Sequence, residues 1–229
     1  TIAYDGTHYA GWQRQTSRQS SVISHQSKKT IQEEIESALQ KIFQKKIHLE
    51  GSGRTDAGVH AVAQVAHFKT EKAMEPRKLQ AALNGILPFD IAVTKVEEAR
   101  LNFHARFDVR SKIYRYIIAT PETKSAFIHC GVYWTKYPLD VPVMRKEARC
   151  LLGRHDFKAF QASDRIERSS MTTIKKITFK AIRGSDHLPF LNDAKLILID
   201  IEAKGFLRNM VRNIVGTLID IGRGKIKQG

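Results

Sequence analysis

Cysteine is scarce in this chain, acid is scarcer than base, and no long hydrophobic run exists. The two cysteines, Cys130 and Cys150, have no metal or redox spacing. That excludes a disulfide scaffold and fits a reducing compartment. Nine histidines are present, none paired at ligand spacing, so no metal site is expected. No stretch reaches the roughly 18 apolar residues of a membrane span, and no signal peptide is visible. Cytoplasmic residence and no membrane partner are the expectation. Asp and Glu number 23 against 38 Lys and Arg, a net charge of +15 over 229 residues. Such an excess attracts polyanions, nucleic acid first, although solubility alone would also account for it. The ordinary apolar fraction, 42%, is enough for one large domain or two small ones. The chain starts at Thr1, inside an apparent strand, so a preceding segment is expected.

What is present reads as alternating strands and helices. A strand end at "TIAYDG" leads into Ser/Gln/Lys-rich residues 16–29, expected to be a mobile loop. Thr30 and Glu33 form a capping box for a helix with Ile31, Ile35, Ala38, Leu39 and Ile42 on one face. Strands follow at "KIHLEGSG" and "HAVAQVAHFK", then a helix at "EPRKLQAALNGIL" with Pro76 in its first turn, then a strand at "DIAVTKVEEA". That order, βαββαβ, is the ferredoxin-like pattern. It begins again with strand "SKIYRYIIAT", an extra strand at "GVYWTK", helix "DVPVMRKEARCLLG" capped by Asp140, strands "MTTIKKITFKAI" and "AKLILIDIEAKG", and helix "FLRNMVRNIVGTLIDIG". The expected class is α+β: two ferredoxin-like halves, residues 1–102 and 103–229, of mainly antiparallel sheet with helices on one side. The second half ends before its last strand, which suggests a sequence trimmed at that end.

Four places carry candidate chemistry. "GSGRTDAGVH", residues 51–60, sets one acid, Asp56, in a Gly-lined turn two residues after Arg54 and four before His60. It is a plain turn, or an oriented carboxylate that Arg54 holds ionised for nucleophilic or electrostatic work. In "SKIYRYII", strand alternation puts Tyr114 and Tyr116 on one face and Arg115 on the other; Tyr114 is a core tyrosine or a stacking platform for a base. In "GFLRNMVRNIVG", Arg208 and Arg212 are four apart, expected on one face near a helix start, as solvated arginines or as an anion site. "NFHARFDVRSK" sets His104, Arg106, Arg110 and Lys112 around Phe103 and Phe107, suited to RNA or to a strand edge. An aspartate-nucleophile hydrolase has no metal-ligand set or paired acid to support it. A non-catalytic binder with paired RRM-like sheets would not need an acid in a basic cleft.

Taken in order, "YDGTHYAGWQRQ", "GSGRTDAGVHA", "LPFDIAV", "FHARFDVRSKIYRY", "HDFKAF" and "GFLRNMVRNIVGTLIDIGRGK" resemble the TruA family of tRNA pseudouridine synthases over nearly the whole chain. The resemblance implies the pseudouridine synthase fold. It also implies cofactor-free isomerisation of uridine at positions 38 to 40 of the tRNA anticodon arm, by a homodimer whose two subunits both contact one tRNA. Asp56 matches the catalytic aspartate. Tyr114 matches the tyrosine that stacks on the target base. Arg208 matches the arginine that pairs with the carboxylate, and Arg54 the one that helps flip or hold the nucleotide. His60, Arg106, Arg110 and Arg212 are further candidate substrate contacts. The pattern departs at the lengthened segment 16–29 and at Thr172, where arginine is usual before Thr-Ile.

Overall fold

The computed structural model describes residues 1–14, 28–120, 131–162, 169–183 and 195–226. Most of the expected loop at 16–29 lies outside them, as does Cys130. The chain is mixed α and β, and it divides into two compact units, Thr1–Val109 and Arg110–Gly229. No helix among the described residues is long and apolar enough to cross a membrane.

In the first unit, β1 (Ile2–Tyr4) is central, antiparallel to β3 (Ala61–Gln64) on one side and β5 (Ile91–Val93) on the other. A separate antiparallel pair joins β2 (Glu50–Gly51) to β4 (Ala66–His67). The single strand expected from the alternation at 60–69 is therefore two strands. β3 pairs with β1 and β4 with β2, and the break at Val65 redirects the chain between partners. The strand expected at 90–99 is confined to β5.

Helix α1 (Ile31–Phe43) starts at the capping box read from the sequence: Glu33 N–H donates to Thr30 Oγ1 at 3.3 Å, and Thr30 N–H to Glu33 Oε2 at 2.9 Å. Helix α2 (Pro76–Ile86) begins with its proline, whose missing N–H costs nothing there. Ile31, Ile35, Leu39, Leu79 and Leu83 pack with Ile2, Tyr4, Trp12, Ile91 and Val93 in one core. Burying a side chain of that size contributes about 1.5–3 kcal/mol.

Polar groups on α1 are also buried. Glu36 accepts the Leu49 N–H at 3.0 Å, and Gln32 Nε2 donates to Leu49 O at 2.9 Å. This pair pins the chain one residue before β2, hence at the root of the 51–60 loop. Tyr9 OH donates to Asp90 Oδ1 at 2.6 Å, tying the segment after β1 to the turn before β5. Burial first, then the Asp90 carboxylate, push the Tyr9 phenol well above its ordinary range.

The second unit is built on one five-stranded sheet, order β7-β6-β10-β9-β8. The strands are β6 (Lys112–Ala119), β7 (Tyr133–Trp134), β8 (Gly153–Asp156), β9 (Met171–Arg183) and β10 (Lys195–Ala203). All pairings are antiparallel except β6 with β7. Strand β8, within "GRHDF", has no periodic signal of its own; it forms because β9 extends far enough to pair with it. Helix α3 (Val141–Glu147) is capped by Asp140, whose Oδ1 accepts Val143 N–H at 3.0 Å. It tightens into a 3-10 turn over Ala148–Leu151, so the helix expected to reach 153 is shorter. Helix α4 (Met210–Gly222) buries Met210, Val211, Ile214, Val215, Leu218 and Ile219 with Ile197, Ile199 and Ile201 of β10. The other sheet face carries a smaller cluster around Ala119 and Leu196. On that face Arg115 grips Asp200 with two bonds of 2.7 Å, which hold the Asp200 carboxyl below its usual range.

Candidate active site

In the first unit the acidic loop is fixed by its backbone. Ser52 N–H donates to Val65 O at 2.8 Å, and Ser52 Oγ to Gln64 Oε1 at 2.9 Å, while the Gln64 amide returns to Gly53 O. Thr55 O accepts the Trp12 N–H at 3.0 Å, and Thr55 Oγ1 is 2.9 Å from Tyr4 OH. Asp56 O accepts Val59 N–H at 3.2 Å. Two glycines allow this closeness. A Cβ on Gly6 would lie 2.1 Å from Val59 O, and one on Gly11, at φ +98°, would lie 2.5 Å from Thr55 O. The "YDGTHYAGW" and "GSGRTDAGVH" stretches thus lie backbone against backbone.

The outcome is a rigid loop with Arg54 and Asp56 both exposed. The expected ion pair between them is not formed: among the described residues no salt bridge joins the two. Successive bonds to the loop backbone at 53 and 55 fix the main chain and leave the two side chains to solvent. His60 is engaged by the first turn, its Nδ1 lying 2.9 Å from Asp5 Oδ1 and 3.3 Å from the Gly6 amide. The hydroxyl and amide of Thr7, with His60 beside them, hold the Asp5 carboxyl below its usual range.

A second cluster in this unit was not legible in the sequence, because it joins residues 50, 67 and 104. Glu50 and His67 face each other across β2 and β4. His104 Nε2 is 3.2 Å from Glu50 Oε2, and the three ligand atoms lie within 4.8 Å of one another. Two backbone amides also reach the imidazoles of this cluster. His67 Nδ1 accepts Ala105 N–H at 3.3 Å, and His104 Nδ1 accepts Arg106 N–H at 3.2 Å. His104 is half-buried, its ring 4.2 Å from that of Phe107. Arg106 stays exposed, its guanidinium 5.8 Å from the exposed Phe107 ring.

In the second unit Tyr114 and Tyr116 lie on β6 opposite Ile201 and Ile199, on the sheet face that α4 covers, and Arg115 is on the other face, as the alternation predicts. Tyr114 is half-buried, and the Phe206 ring meets it edge-on at 5.0 Å. Arg208 and Arg212 do not share a helical face. Asn209 adopts φ +57°, so α4 starts only at Met210. Arg208 lies in the turn before it, and Arg212 in its first turn; both are exposed. Met210 N–H donates to Leu207 O, and Ala162 N–H to Arg208 O, each at 3.1 Å. Thus Tyr114 and the Arg208 turn meet through Phe206, a residue the sequence reading did not select. Arg110, exposed, begins this unit, and its carbonyl accepts from Lys175 Nζ at 2.9 Å.

Comparison with known proteins bears on this arrangement. A family model described as tRNA pseudouridine synthase matches residues 1–108 and 148–229. A protein of Caldicellulosiruptor bescii named tRNA pseudouridine synthase A is 40% identical over 227 residues, covering 99% of this chain and 84% of that protein. A protein of the same name from Citrifermentans bemidjiense is 41% identical over 224 residues, 98% of this chain and 81% of its own. One named tRNA pseudouridine synthase A 2, from Clostridium perfringens, is 41% identical over 227 residues, 99% of this chain and 84% of its own.

Proposed function

The chain belongs to the tRNA pseudouridine synthase family, its reaction is therefore the isomerisation of uridine to pseudouridine in tRNA, and we propose that Asp56 is its catalytic carboxylate. The observation that carries this reading is the loop itself: a backbone held at residues 52, 53, 55 and 56, with an exposed carboxylate at its tip. Holding a charged group in place before the substrate arrives removes reorganisation from the barrier.

The reaction breaks the bond from uracil N1 to ribose C1′ and forms one from C5 to the same C1′. C5 loses a proton and N1 gains one, so the balance closes without oxidant, metal or cofactor. Asp56 attacks the nucleoside, or stabilises it electrostatically, while uracil is detached and turns over. Tyr114 stacks on the base and helps to remove the C5 proton, with the Phe206 edge limiting its motion. Arg208 pairs with the carboxylate, and Arg54 holds the flipped nucleotide. A stacked base must leave its helix for any of this to happen.

The uridines at positions 38 to 40 of the anticodon arm are the proposed substrates, and Arg106, Arg110, Arg212 and His60 the proposed RNA contacts. The net charge of +15 supports binding to that polyanion. We read each unit as a ferredoxin-like half, supported by the orders β5-β1-β3 and β6-β10-β9, and the working protein as a cytoplasmic homodimer, which sedimentation of the free protein tests. The decisive experiment is Asp56→Asn. It keeps tRNA affinity and abolishes tritium release from uridine labelled at C5; turnover near that of the parent protein would refute the assignment.

A further inference from the structure

The turn that carries Phe206 and Arg208 is held by one side chain from β9. Thr172 Oγ1 donates to Gly205 O at 3.0 Å. Thr172 is half-buried and paired in register with His155 of β8, so its position is set by the sheet rather than by the turn it holds. Gly205 adds no side-chain anchor of its own, since a Cβ built there would touch nothing within 4 Å. Beyond it the turn is held by Ala162 N–H on Arg208 O, a backbone bond at 3.1 Å, and by the Phe206–Tyr114 edge contact at 5.0 Å. The following Asn209, left-handed at φ +57°, makes no side-chain capping bond. Among the described residues, Thr172 is thus the side chain whose hydrogen bond holds the N-terminal end of this turn.

We propose that Thr172 is a positioning residue for catalysis: its hydroxyl fixes the Gly205 carbonyl, and through it the Phe206 ring against Tyr114 and the Arg208 backbone. This rests on the reading of Tyr114 and Arg208 as site residues. The donor is a short, β-branched side chain with few rotamers, so it sets the carbonyl without an adjustable reach. A displacement of the turn by a fraction of an ångström would move both the platform and the arginine, and such misplacement lowers the chemical step without touching substrate binding.

The test compares Thr172→Val, which keeps the shape and loses the donor, with Thr172→Ser, which keeps the donor, by tritium release with kcat and KM for tRNA separated. Thr172→Val is expected to lower kcat about tenfold with KM within about twofold, and Thr172→Ser to restore most of it. Thermal unfolding of each variant, with kcat corrected for the folded fraction, removes a loss due to folding alone. A full kcat in Thr172→Val overturns the proposal, as does a loss that disappears on that correction or one confined to KM, which would make Thr172 an RNA contact. Arg208→Ala and Tyr114→Phe in the same assay separate the two failures. If they also keep full kcat, the site reading has failed; if they lose it while Thr172→Val does not, only the positioning role has.

Discussion

Replacing Gly6 with alanine should damage both stability and turnover. The new Cβ would lie 2.1 Å from Val59 O and 2.7 Å from the Val59 carbonyl carbon. Carbon contacts settle at about 3.5–4.0 Å, so the two backbones must part by more than about 1 Å. No flexible side chain stands between them to give way. Overpacking of that kind costs about 1–3 kcal/mol. Separation also strains the Tyr9 N–H bond to Gly6 O at 3.0 Å and the Gly6 amide contact with His60 at 3.3 Å, each worth about 1 kcal/mol. The expected destabilisation is about 2–4 kcal/mol, read from the urea midpoint at unchanged slope. Val59 donates to the carbonyl of Asp56, so displacing Val59 also moves the carboxylate, and kcat of the folded fraction should fall at least about tenfold. Gly85→Ala is the control: it sits in α2 with nothing within 4 Å of the added Cβ, and should be neutral or stabilising by up to about 1 kcal/mol. A Gly6→Ala protein with parental midpoint and parental kcat would refute the close-packed account of this loop.

Three other outcomes are expected. Thr30→Ala removes one half of the α1 capping box and should cost about 1 kcal/mol in urea unfolding. Asp200 is held below its ordinary value of 3.8 mainly by its hydrogen bonds to Arg115. Its stabilisation is therefore present above about pH 4 and is lost as pH falls through the lower folded value, where the unfolded chain is protonated first. Asp200→Asn should flatten that part of the acid-stability profile by about 1 kcal/mol, a modest figure because Arg115 is largely exposed; an unchanged profile would remove the pair from the account. The affinity for tRNA should fall steeply and linearly on a log–log plot with salt, and a flat response would contradict a phosphate-binding surface.

Signals written within one turn of chain proved readable. The Thr30 box, the Asp140 cap and Pro76 at the start of α2 are local chemistry, and each helix begins where they stand. The apolar row of α1 is its core face. Where an element owed its bounds to a distant partner, the reading slipped. The strand at 60–69 divides because β1 and β2 claim different parts of it, and α4 loses its first turn to Asn209 in the left-handed region.

The sequence by itself determined the class of the protein, the excess of base over acid, and the loop motif that presents Asp56. These follow from composition, from period, and from six motifs in register. Only the tertiary structure decided what holds that loop: Gly6 and Gly11 against its backbone, Trp12 and Gln64 on its carbonyls, and the buried Gln32 and Glu36 at its root. It alone joined Glu50, His67 and His104 into a cluster, and Tyr114, Phe206 and Thr172 around the Arg208 turn. The physical reason is range. Helix caps and periodicity are satisfied by neighbours along the chain, whereas a buried amide or a bare glycine is settled by whichever distant residue folding brings to it.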